Sequence, residues 1–189
     1  MTTTPPPLAL RTRAGGASPV SVALGILLIL LAVFLMIQQT AFRTVEATVT
    51  AGLVGLFTHG RVQSAGDVVY FGLGTGNVHG ILITTLCSSV ILVTPLLALA
   101  GILLFLPGFR MLRIASGLLL ALAIAVTCNM LRYAGSAFAL QTWGTSGFDV
   151  VHEYAGSLLV IFGFAGSFIL LIRIASRSRR RHRHARHGG

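Results

Sequence analysis

The sequence predicts an all-α membrane protein, a helical bundle of about four transmembrane helices with both termini cytoplasmic and a mixed extracytoplasmic loop between helices 1 and 2. Three observations predict it. Apolar residues make up 54% of the 189-residue chain and charged residues only 10%, with a mean hydropathy of +0.87, which excludes an ordinary soluble domain. Apolar runs of about spanning length recur along the chain. Basic residues gather at one end of these runs and acidic residues at the other.

Residues 1–19 read as a disordered cytoplasmic lead-in, with Pro5-Pro6-Pro7, Arg11, Arg13 and Gly15-Gly16. Residues 20–37 form one apolar run, close to the ~20 residues that span a bilayer at ~1.5 Å rise each. A cleaved signal peptide is the rival reading, with Arg11 and Arg13 as its basic region. The run is longer than the ~7–15 residues of a usual signal core, so an uncleaved span is expected. Residues 38–80 form the outer loop, rich in glycine and sparse in charge. Within it, residues 49–57 are too short to cross and read as an interfacial or re-entrant piece. Residues 68–71 read as a short strand, with Gly72, Gly74, Gly76 and Asn77 marking turns.

Three further spans are expected at residues 81–106, 111–131 and 151–172. Pro95 lies inside the second and is expected to kink it. Pro107-Gly108-Phe109-Arg110 makes a tight junction before the third. Residues 173–189 form a basic cytoplasmic tail. Arginine is enriched in short cytoplasmic segments. Arg11 and Arg13, Arg110 and Arg113, and the seven arginines after the last span place 11 of 14 arginines on one side, while Glu46, Asp67, Asp149 and Glu153 all fall on the other.

That topology brings Cys87, Arg132 and His152 to one membrane face. Cys87 is expected about two turns into the second span, Arg132 at the outer end of the third and His152 at the outer start of the fourth. A thiol needs a nearby base or cation to become a nucleophile near neutral pH. An imidazole can move its proton to a leaving amine. A guanidinium stays charged, so it suits an oxyanion or a substrate carboxylate. Together the three suit acyl transfer through a thioester. Asn129 lies three residues before Arg132, on the same helical face. Ser88 and Ser89 add polarity beside the thiol, and Glu153 is a candidate to orient His152 or to pair with an arginine. Cys128 reads as a packing cysteine, with His59 and His79 as reserve candidates. No Cys-X-X-Cys motif offers zinc or thiol exchange.

The elements Thr85-Leu86-Cys87-Ser88-Ser89, Asn129-Met130-Leu131-Arg132 and Val151-His152-Glu153-Tyr154-Ala155-Gly156 resemble those of the exosortase/archaeosortase family over about residues 65–172. Members are integral membrane proteins thought to act as cysteine transpeptidases on C-terminal sorting signals. Many carry additional spans before the cysteine element, so this chain resembles a minimal, short member. The resemblance implies Cys87 as nucleophile, Arg132 as transition-state stabiliser, His152 as acid/base and Gly156 as a close-packing position. It also implies membrane-anchored substrate proteins as partners and a reaction that needs no metal or cofactor.

The basic tail suits anionic lipid headgroups rather than a specific nucleic acid, since no aromatic residue or folded module accompanies it. A non-enzymatic assembly factor or a small transporter subunit is the alternative class. A transporter is expected to carry polar residues near mid-membrane and an internal repeat. Here the chemistry is concentrated at one face.

Overall fold

The computed structural model describes the backbone of residues 18–184 and the side chains of residues 18–176. The expectations for residues 1–17 and for the side chains of the basic tail lie outside the described residues. The chain is a predominantly helical, multi-helix membrane protein. Two helical stretches, Pro19–Ile37 and Met111–Ser176, are long and apolar enough to cross a membrane, and Val90–Phe105 is a shorter apolar helix.

Helix α1 is Pro19–Ile37, within a residue of the expected span. Ser18 caps it by accepting a hydrogen bond from the Ser21 N–H at 3.2 Å, and Pro19 stands where a missing N–H costs nothing. Leu27, Leu30, Val33, Phe34 and Ile37 remain exposed along it, which suits lipid rather than water. It packs on α3 (Val90–Phe105) through paired glycines: a Cβ on Gly25 would lie 2.9 Å from the Gly101 carbonyl oxygen, and the converse holds at Gly101. Small residues allow such close helix contact in membranes.

The 38–80 segment is more ordered than its composition suggests. Helix α2 spans Gln39–Val54, taking in most of the piece read as interfacial. Its buried residues Glu46, Ala47, Thr50 and Val54 form one stripe at helical spacing. Threonines back-bond along it, Thr44 Oγ1 to the Thr40 carbonyl and Thr48 Oγ1 to the Thr44 carbonyl. These residues have weak intrinsic helix preference, so packing holds the helix. Strands β1 (Arg61–Ala65), β2 (Val68–Leu73) and β3 (His79–Leu82) follow and form an antiparallel sheet in that order. Gly66, at φ 59°, occupies the first position of the two-residue β1–β2 turn, where a positive φ is required. The expected strand at 68–71 is thus the centre of a sheet, and the wholly α expectation gains this small β element.

The expected second span also changes at its start. Ile81 pairs with Val69 and Leu82 with Val68, and the Ile83 N–H donates to the Asp67 carbonyl at 2.8 Å. Ile81 and Leu82 therefore belong to the sheet, and Ile83 is tied to its edge. Thr85–Cys87 is a single 3-10 turn, and α3 begins only at Val90 with Pro95 inside it. Cys87 accordingly precedes the helix instead of lying two turns within it.

Helix α4 runs Met111–Asp149, well beyond the expected end at residue 131. Gly144 interrupts it with φ 70° and ψ −160°, a region essentially reserved for glycine. A π-helical segment, Val150–Ala155, leads into α5, Gly156–His184. Helices α4 and α5 are antiparallel: Gly117 lies against Leu171 and Ile174, Gly163 against Cys128, and Gly156 against Arg132. The core has two parts. One lies among α1, α3, α4 and α5, with Leu96, Ala100, Leu104, Ile114, Ala121 and Leu171. The other joins α2, the sheet and the second half of α4, with Ala47, Val54, Phe71, Ile83, Tyr133 and Ala137. Cys87 packs against this second part.

Candidate active site

Helix α4 supplies one polar face. Asn129, Arg132, Tyr133 and Ser136 follow the i, i+3, i+4, i+7 spacing of one helical side. Opposite them stand the turn bearing Cys87 and the π segment bearing His152. The Cys87 Sγ lies 3.7 Å from His152 Nε2, and Arg132 Nη2 lies 3.3 Å from the same nitrogen. Arg132 also donates to the His152 carbonyl oxygen at 3.4 Å. Thiol, imidazole and guanidinium thus share one cluster, although 45 and 20 residues separate them in sequence.

The imidazole is held on every side. Phe148, one helical turn earlier, stacks on it with ring centroids 4.9 Å apart and planes 9° from parallel. Ser136 Oγ lies 3.3 Å from Nδ1. A guanidinium only donates, so Nε2 must accept from Arg132, which leaves the proton on Nδ1 toward Ser136. The one Nε2 lone pair is thus shared between the guanidinium and the thiol. Once Nε2 takes the thiol proton, it can donate back to the thiolate. That hydrogen bond from His152 is the largest influence lowering the Cys87 thiol from 9.0 to about 7, aided by the Thr84 hydroxyl and the Arg132 charge and opposed by burial.

Backbone donors are committed elsewhere. The N–H groups of Cys87 and Ser88 both donate to the Thr84 carbonyl at 3.1 Å, so neither is free for an oxyanion. Arg132 Nε is buried without a hydrogen-bond partner. Gly156 lets Arg132 lie flat on α5: a Cβ there would come within 2.6 Å of Arg132 Cγ.

A second network supports the thiol from below. Asn129 Nδ2 donates to the Cys87 carbonyl at 2.9 Å, and the Tyr133 hydroxyl donates to the same oxygen. Glu46, on α2, is buried at 4% exposure. Its Oε2 accepts from Ser88 Oγ at 2.7 Å. Its Oε1 accepts from the Ser89 N–H at 2.9 Å, Ser89 Oγ at 2.6 Å and Asn129 Nδ2 at 3.2 Å. Ser88, Ser89 and Asn129 thus belong to this network, whereas Glu153 is exposed and joins neither cluster. Cys128 faces Gly163, away from the thiol site. His79 rests against Phe71, and the backbone of His59 exchanges hydrogen bonds with the Gln141 side chain.

Residues 9–172 match the sequence profile of the transmembrane exosortases (EpsH type). The chain belongs to the transmembrane exosortase family. No curated protein and no solved structure matches it. In this exosortase the matched region takes in both core clusters except Ala175 and every residue of the cysteine–histidine–arginine group, and it begins well before the elements that carried the resemblance. Family membership supports enzymatic activity and a membrane cysteine-transpeptidase role in general. Sequence reasoning had not singled out Tyr133, Ser136 or Phe148 in this exosortase, yet all three lie at helical spacing from Asn129, Arg132 or His152. Glu46 carries a weaker signal, the burial stripe of α2.

Proposed function

We propose that this chain is a membrane-embedded cysteine peptidase or transpeptidase that cleaves the C-terminal sorting signal of membrane-tethered secreted proteins and transfers them through a thioester at Cys87. The observation that carries the reading is the contact of Cys87 Sγ and Arg132 Nη2 with the same nitrogen of His152, at 3.7 and 3.3 Å. His152 Nε2 takes the thiol proton in exchange for its hydrogen bond from Arg132 Nη2, and the thiolate attacks the scissile carbonyl. Arg132 stabilises the oxyanion, a role suited to a fixed positive charge held 3.3 Å from the base. The carbon–nitrogen bond breaks as His152 returns the proton to the leaving amine. An acceptor amine, hydroxyl or water then gives its proton to Nε2 and attacks the thioester, releasing the thiolate.

The topology belongs to the same proposal. Four membrane crossings, by α1, α3, the first part of α4 and α5, put both termini in the cytoplasm of a plasma-membrane protein. The sheet, α2 and the catalytic cluster then face outward, where a substrate tethered by a C-terminal transmembrane helix presents its motif. The basic tail rests on anionic headgroups. Glu153 and the sheet are available to the substrate from the exposed side.

The test is a co-expressed secreted protein with a C-terminal sorting signal and membrane helix. Wild type is expected to release that helix, with an acyl adduct trappable on Cys87, and Cys87→Ala is expected to abolish both. Unchanged processing by Cys87→Ala would leave an assembly factor as the better reading.

A further inference from the structure

The catalytic group uses α4, the Cys87 turn and the π segment, but it leaves Glu46 unexplained. This carboxylate lies almost fully inside the protein, and among the described residues no salt bridge reaches it. The ion pair found among the described residues is Arg43 with Asp67. A buried carboxylate is costly unless donors replace its lost water, and here they come from Ser88, Ser89 and Asn129. An apolar side chain would fill the position at lower cost.

We propose that Glu46 is a positioning residue for the nucleophile, fixing the backbone after Cys87 so that its thiol stays within reach of His152. The proposal rests on the thiol chemistry above. Three anchors act on consecutive residues. Asn129 and Tyr133 hold the Cys87 carbonyl. Glu46 holds the Ser88 hydroxyl, and it holds both the hydroxyl and the N–H of Ser89. Glu46 also receives the Asn129 amide, so one carboxylate couples the two strands of support. Cys87 itself lies on a single 3-10 turn, which has little rigidity of its own. Its Sγ is 3.7 Å from His152 Nε2, near the outer limit for a sulfur hydrogen bond. Slack of about an ångström in the Cys87–Ser89 backbone would end the pairing.

The test reads the thiol directly and needs no substrate. In the full chain in detergent, Cys87 is alkylated with iodoacetamide across pH and followed by peptide mass spectrometry, with thermal unfolding measured in parallel. Wild type should show a midpoint at about 7, and His152→Ala marks the value for a thiol without its partner. Glu46→Leu keeps the bulk but no acceptor. It is expected to move the midpoint up by about one pH unit or more toward the His152→Ala value. Glu46→Gln retains one oxygen for Ser89 and Asn129, while its amide donates to the Ser88 hydroxyl, so its midpoint should stay close to wild type. Where Glu46→Leu does not fold, the Ser88→Ala/Ser89→Ala double variant removes the same hydroxyl anchors and should shift the midpoint likewise.

A folded Glu46→Leu protein with the wild-type midpoint would overturn the proposal. So would a Glu46→Gln midpoint as high as that of Glu46→Leu, or a wild-type midpoint near 9. Processing by Cys87→Ala separately decides the peptidase reading. Loss of processing in Cys87→Ala with no effect of Glu46→Leu on the midpoint would remove Glu46 and keep the enzyme.

Discussion

At the residue scale the proposed chemistry turns on a single contact. The His152 hydrogen bond is the main reason that the Cys87 thiol falls from 9.0 to about 7. A lowered thiol is reactive above its new value and protonated below it. Sorting-signal processing is therefore expected to fall about tenfold per pH unit on acidification below about 7. His152→Ala removes the largest lowering influence, so iodoacetamide labelling of Cys87 at pH 7 should slow by roughly tenfold or more. Labelling equal to wild type would show that the imidazole does not activate the thiol. Cys128 gives the contrasting case. It packs against Gly163, and Cys128→Ala should leave the Cys87 labelling profile and processing unchanged. A small loss of thermal stability, of the order of 1 kcal/mol for the vacated volume, is its only expected effect.

At the scale of elements, the sequence was legible where a local pattern settles the structure. Helix α1 was readable because its apolar run is long and carries no charge. The Asn129–Arg132 face was readable because helical spacing alone aligns it. The start of α3 was not readable. Ile81 and Leu82 have the same apolar character in a strand as in a span, and pairing with β2 decided between them. Glu46 was obscure for a related reason: its partners lie 42, 43 and 83 residues away. The extension of α4 beyond residue 131 was also hidden, because small residues such as Ala134, Ala137 and Ala139 pack there without a long apolar run. The return from α4 to α5 depends on Gly144, whose φ of 70° and ψ of −160° suit no other residue well. Gly144→Ala should destabilise the protein by about 1–3 kcal/mol. Thermal unfolding in detergent checks this, and an unchanged transition would mean that the reversal does not need that geometry.

For the whole molecule, the two core clusters divide the work. One joins the apolar faces of α1, α3, α4 and α5, while the other fastens α2 and the sheet onto α4. Cys87 packs against the second, so its side of the membrane follows from the position of the sheet. The proposed topology puts β1 outside, together with the Cys87 turn, and the α3–α4 junction inside. Gln63 on β1 and Pro107 at that junction are both exposed, and each can carry a reporter cysteine in a Cys87→Ala/Cys128→Ala background. In intact cells a membrane-impermeant maleimide should label Gln63→Cys at once and Pro107→Cys only after permeabilisation. The positive-inside bias of the arginines argues for that order. The reversed pattern would put the thiol in the cytoplasm, where a secreted substrate could not meet it. Labelling of both sites without permeabilisation would mean that α3 does not cross. Its 16 residues span about 24 Å at 1.5 Å each, short of the ~30 Å hydrocarbon core. A crossing therefore requires the bilayer to thin or the Ser88-Ser89 turn to sit at the interface, and Glu46 supplies hydrogen bonds that would let those serines sit there.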